Sequence, residues 1–172
     1  MAPITRQVNK SALNKRLVWN RYALHTAGRY SFYLAMEKFD VDEILNKGLE
    51  DEDRLTKNEL LIYSVAYFES LADIEGWDHF YTYSMRLYPS LLKILKLTGD
   101  IESLRILKDY ENHFEKLGVK FAPEDIDQYL TTATNEYLES CPDWREQFSE
   151  LGDNRWKLIS SYLKLQGIEL KT

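Results

Sequence analysis

The sequence predicts an all-α fold, a single-domain irregular bundle of about eight helices. Three observations predict it. Apolar residues recur at three- and four-residue spacings rather than in alternation. The seven glycines and four prolines are sparse and fall mostly between the periodic runs, and no tight turn joins two alternating segments. The length of 172 residues suits one domain, and a 44% hydrophobic composition supplies a core and excludes global disorder.

Each element has a local reason. Ser11 to His25 reads as a first helix with Leu13, Leu17 and Leu24 on one side. After Gly28, Tyr30 to Phe39 can resume as helix or short strand. Asp40 and Asp42 can cap a short helix that ends at Gly48, and Leu49 to Arg54 is a solvated acidic loop. Thr56 and Glu59 have capping-box spacing and open a helix to about Glu75. Its stripe of Leu61, Val65, Phe68 and Ala72, widened by Leu60 and Leu71, makes it central. Gly76 ends it. A helical stretch follows through Trp77, Phe80 and Tyr81, and then Pro89 starts a Leu91–Leu97 helix stopped by Gly99. Asp100 caps the next helix, with Leu104, Leu107, Phe114 and Leu117 inward and Gly118 as terminator. Pro123 fits a first turn, where Glu124, Asp125 and Asp127 meet the positive end of the helix dipole. Pro142 and Gly152 delimit a further helix, and Asp153 or Asn154 can cap a last one to Gln166.

Charge is distributed unevenly. Residues 1–38 hold seven bases and one acid, while residues 39–172 hold 15 bases and 27 acids. The chain therefore reads as one helical domain, 1–172, with a basic N-terminal segment 1–38 and an acidic body 39–172. The two regions can neutralise each other, or the acidic body can face a basic partner. A strongly acidic body repels a polyanion, which argues against direct nucleic-acid binding, although residues 6–29 form the one basic stretch that could attempt it. No run approaches the roughly 20 apolar residues that span a bilayer, and the opening residues have no apolar leader core. A single cysteine, Cys141, makes neither an internal disulfide nor a thiolate zinc site, so a reducing cytoplasm is expected.

A search for chemistry returns little. His79 lies four residues after Glu75, but two ligands make no metal site. His113 lies four residues after Asp109, a spacing equally open to a solvated pair, and His25 has no evident partner. Cys141 precedes Pro142 with no histidine specified to activate it. HExxH, GxSxG and phosphate-loop patterns are absent. No catalytic residue, metal or cofactor is expected. The twelve tyrosines and four tryptophans fall mostly at helical spacing and read as core with a polar tip.

The most specific pattern is acidic. Glu136, Glu139, Asp143, Glu146, Glu150 and Asp153 recur at spacings of 3, 4, 3, 4 and 3, broken into two faces by Pro142. At about 100° per residue Asp143, Glu146 and Glu150 share a sector opposite Trp144, Phe148 and Leu151. The apolar side should be buried and the acids solvated, with only Arg145 close enough in sequence to relieve their repulsion. A row of fixed carboxylates on a helix resembles a stretch of phosphate backbone, and solubilising charge would look the same.

The segment from Tyr67 to Tyr81 resembles the core motif of a bacterial all-helical family of unknown function that includes a DNA-mimic protein. Phe68-Glu69 match its Phe-Glu helix, Gly76-Trp77 the end of its turn, and His79-Phe80-Tyr81 its aromatic exit. Leu91 to Asp100 and Leu104 to Leu107 resemble its next two helices. The likeness covers about residues 55–118 and departs at Ile74-Glu75, where the family has Asn-Gly. The motif reads as architectural: Gly76 as terminator, Trp77, Phe80 and Tyr81 as a packed corner. The resemblance implies a non-enzymatic homodimer that binds a dimeric helix-turn-helix transcription factor and keeps it off DNA. On that reading the partner-binding acids are Glu50, Asp51, Glu52, Asp53, Glu124, Asp125, Asp127, Glu136, Glu139, Asp143, Glu146, Glu150 and Asp153. The alternatives are an acidic immunity or antitoxin-like protein covering a basic surface, and a small helical enzyme using His79 with Glu69 or Glu75.

Overall fold

The computed structural model describes residues 40–74, 76–132 and 143–166, all within one compact unit, Lys38–Thr172. The expected helix Ser11–His25, the Tyr30–Phe39 stretch, His25, Glu75, Glu136, Glu139, Cys141 and Pro142 lie outside the described residues. Among the described residues there are eight α-helices and no strand: α1 Val41–Glu50, α2 Lys57–Ile74, α3 Trp77–Tyr83, α4 Tyr88–Thr98, α5 Ile101–Lys116, α6 Pro123–Thr132, α7 Trp144–Glu150 and α8 Gly152–Leu165. No helix among them is long and apolar enough to cross a membrane.

Local chemistry sets most boundaries. The Asp40 carboxylate caps α1 by accepting from the Glu43 amide at 2.9 Å. The capping box forms at α2. Thr56 Oγ1 accepts from the Glu59 amide at 3.3 Å, and Glu59 accepts from the Thr56 amide at 2.8 Å. Both Glu59 oxygens also receive Lys47 Nζ, at 2.9 and 2.8 Å, which ties α1 to α2. Gly99 closes α4 at φ 73°, with the Asp100 amide reaching back to the Leu95 carbonyl at 2.9 Å. Asp100 then caps α5 by accepting from the Ser103 amide at 3.1 Å.

Four boundary or facing expectations are corrected. Gly48 does not end α1; it lies inside the helix, because the Tyr63 ring packs where a side chain would otherwise project. The stretch after Leu49 is not a free loop: Leu49 and Glu50 complete α1 and Glu52–Arg54 form a 3₁₀ turn capped by the Asp51 carboxylate. On α5 the buried stripe is Ser103, Ile106, Leu107, Tyr110 and Phe114, leaving Leu104 half-buried and Leu117 41% exposed. Neither Asp153 nor Asn154 caps α8. Leu151 is already helical in φ and ψ, so α8 follows α7 with no side-chain cap.

Packing is organised around α2 and α4. Helix α2 buries residues on all sides, including Leu61, Ile62, Tyr63, Val65, Phe68 and Leu71, and it packs against α1, α3 and α4. Helix α4 packs in turn against α5 and α8, α3 against α6, and α5 against α7. Phe68 lies at the aromatic centre, within 4.8 to 5.2 Å, ring to ring, of Phe80, Trp77 and Phe148. The Phe-Glu helix and its aromatic exit are thus core architecture.

Candidate acidic interface

The C-terminal acidic row is built on α7. The Asp143 carboxylate caps this helix, accepting from the Glu146 amide at 3.0 Å. Trp144 and Phe148 are buried, whereas Asp143, Glu146 and Glu150 are exposed, so the predicted division into an apolar and an acidic side holds for these five residues. Leu151 is half-buried. The Glu146 carboxyl titrates above its ordinary value, through its hydrogen bond to Asp143 and the charges of Asp143 and Glu150. The hydrogen bond is the larger cause, and the neighbouring like charges add to it. Arg145 does not relieve them: its Nη2 donates instead to the Asp73 carbonyl at the end of α2, at 2.9 Å. Asp153 follows in the first turn of α8, exposed. Among the described residues none of these four acids is in an ion pair.

The other predicted acids sit on separate elements. Glu124 and Asp125 occupy the first turn of α6, with Asp127 beyond; all three are exposed and unpaired among the described residues. The 50–53 cluster is partly neutralised within the chain. Glu50 pairs with Arg54 at 3.6 Å, and Glu52 receives the Arg86 guanidinium through Nε at 3.0 Å and through Nη2. Asp51 is occupied as a cap, and Asp53 lies exposed beside it.

The two described histidines pack against aromatic rings. The His79 ring packs 4.6 Å from Tyr83, and His113 meets the Trp144 ring edge at 5.2 Å. Partial burial, and then the nearby Lys116 charge, hold His113 below its ordinary pKa. Asp109 pairs with Arg105 at 2.8 Å. Among the described residues no three His, Cys, Asp or Glu side chains are grouped to hold a metal ion.

Sequence reasoning missed one ion pair, buried at its arginine and half-buried at its glutamate. Arg155, fully buried, donates through Nε and Nη2 to Glu69 Oε1 at 2.9 and 2.6 Å. Its Nη1 donates to Ser103 Oγ at 2.7 Å, and Nη2 to the Phe148 carbonyl at 3.0 Å. Trp156 Nε1 donates to the other Glu69 oxygen at 2.8 Å. The available signal was an arginine four residues before Ile159 and eight before Leu163, in core register.

Comparison with protein-family profiles matches the chain to the DMP19-like protein family over residues 53–166. The chain belongs to that family. The match takes in α2 through α8 and so includes both the Phe-Glu motif and the acidic row. Searches of curated proteins and of solved structures gave no significant match.

Proposed function

We propose that this DMP19-like protein is a non-enzymatic DNA mimic, a homodimer that occupies the DNA-binding surface of a helix-turn-helix transcription factor. Family membership supports mimicry in general. The observation that carries the reading to a surface is α7: Asp143, Glu146 and Glu150 are exposed on one helix, in no ion pair among the described residues, while Arg145 beside them in sequence donates to the Asp73 carbonyl. A partner that binds DNA by neutralising phosphates meets similar fixed negative charge here. Encounter is fast and steeply salt-sensitive because the attraction is largely Coulombic. Asp153, exposed in the first turn of α8, follows the row in sequence, and the exposed acids of α6, with Asp51 and Asp53, lie on other elements and add to the negative charge of the molecule.

The test is capture of partners from cell extract on the immobilised protein, eluted first with rising salt and then with duplex DNA. A mimic releases its partner to DNA, and the Asp143→Asn, Glu146→Gln, Glu150→Gln triple variant retains the fold but captures weakly. Capture that duplex DNA cannot displace, or that the triple variant leaves unchanged, refutes the proposal; the first result points instead to an inhibitor of a basic toxin.

A further inference from the structure

Seven residues of helix cannot hold themselves in place, so the orientation of α7 must come from its neighbours. Two buried aromatic rings supply part of it. Trp144 meets Tyr110 at 5.5 Å, and Phe148 meets Phe68 at 5.2 Å and Trp77 at 5.5 Å. Arg155 supplies something more directional. Its guanidinium carbon lies 3.7 Å from the Phe148 ring centroid while Nη2 holds the Phe148 carbonyl at 3.0 Å. One planar group therefore grips both the ring and the backbone of a single α7 residue. The remaining donors are anchored on α2 through Glu69 and on α5 through Ser103.

We propose that Glu69 and Arg155 are positioning residues of the acidic interface: they fix the rotation of α7, so that Phe148 faces the core while Asp143, Glu146 and Glu150 face outward together. The inference rests on the reading of that face as a partner-binding surface. Arg155 is fully buried, whereas the Glu69 side chain stays 21% exposed. Taking a guanidinium out of water costs desolvation that its partners offset only in part, so stability alone is a poor account of the charge buried here. A fork of donors bound to three helices is suited to specifying direction. A lysine at 155 would keep the charge but cannot span Glu69, Ser103 and the Phe148 carbonyl at once.

Two variants of the full chain test this, Arg155→Lys and the charge-free Glu69→Leu/Arg155→Met pair, with two measurements. Hydrogen exchange by mass spectrometry compares residues 144–150 with 57–74 and 88–98. The expected result is protection lost at α7 by roughly tenfold or more, with α2 and α4 little changed. Parallel loss in all three segments marks a general core tie and overturns the proposal. The second measurement titrates a labelled, alanine-based helix bearing arginines at three- and four-residue spacings. Both variants should weaken its binding by about fivefold or more, as the loss of register in a charge row predicts. Native-like affinity in both variants, while the Asp143, Glu146, Glu150 triple variant binds poorly, overturns the proposal. If the triple variant also binds like the native protein, the interface reading itself fails, and the exchange result still decides whether the pair holds α7.

Discussion

Replacing Gly48 by alanine distinguishes local propensity from packing by the sign of one number. Within a helix, Gly→Ala is favourable by about 1 kcal/mol on propensity alone. Here a β-carbon at position 48 would stand 2.4 Å from Tyr63 Cε2, 2.5 Å from Cδ2 and 2.8 Å from Cζ. Ordinary carbon contacts are ~3.5–4.0 Å, so the ring must retreat by about 1 Å. It has little freedom to do so. Tyr63 is 1% exposed and stacks on Tyr67 with centroids 5.3 Å apart. Overpacking of this kind costs about 1–3 kcal/mol, which outweighs the propensity gain at all but its lower limit. We expect Gly48→Ala to destabilise the protein by up to about 2 kcal/mol, the overpacking cost less the propensity gain. Urea unfolding followed by circular dichroism should show a lower midpoint with an unchanged slope. The Gly48→Ala/Tyr63→Leu double variant should lose less than the sum of its parts by about 1 kcal/mol. A Gly48→Ala protein as stable as the parent, or more so, would refute the packing argument for the course of α1.

Other outcomes follow from the capping box and from the acidic row. Thr56→Ala should cost about 0.5–1 kcal/mol in urea unfolding, at the low end for a cap because its bond is 3.3 Å long. Glu59→Ala should cost more, since Glu59 also receives Lys47. Glu59 titrates below its ordinary value, chiefly through that Lys47 bond and then the Thr56 amide. Its contribution is therefore present above the ordinary carboxylate pKa and lost as pH falls through the folded value, so Glu59→Ala and the parent should converge in melting temperature in acid. Glu146 behaves oppositely. Its raised pKa favours folding in acid, and that contribution is lost as pH rises through the folded value. Glu146→Gln should therefore raise the melting temperature near neutral pH and leave it unchanged well below the carboxylate range; a lower neutral melting temperature would show that the row is not self-repelling.

What the sequence disclosed and what it hid divide along physical lines. The Thr56 box, the Asp100 cap and the stops at Gly76, Gly99 and Gly118 were legible because each is settled within a few residues of itself; all three glycines adopt positive φ. Gly48 was misread because its reason lies fifteen residues away on another helix. Leu117 was assigned inward by periodicity, but the turn at Gly118 closes onto Phe114 and leaves Leu117 outside. In the acidic row the division between Trp144 and Phe148 on one side and Asp143, Glu146 and Glu150 on the other followed from helical spacing. The compensation of Glu52 by Arg86 and the diversion of Arg145 to the Asp73 carbonyl did not, since both join residues far apart in the chain. For the same reason the Glu69–Arg155 pair, 86 residues apart, had no local signature beyond an arginine in core register.

Along its middle, Leu61 to Ala66, helix α2 is buried on every side, with α1, α3 and α4 packed against the helix. A chain severed anywhere along Lys57–Ile74 would leave two pieces, each exposing apolar surface that the other was meant to cover. Dissection of this protein into smaller working parts therefore has no usable cut point on that stretch, and any fragment meant to retain the C-terminal acids must carry the whole of α2 with it.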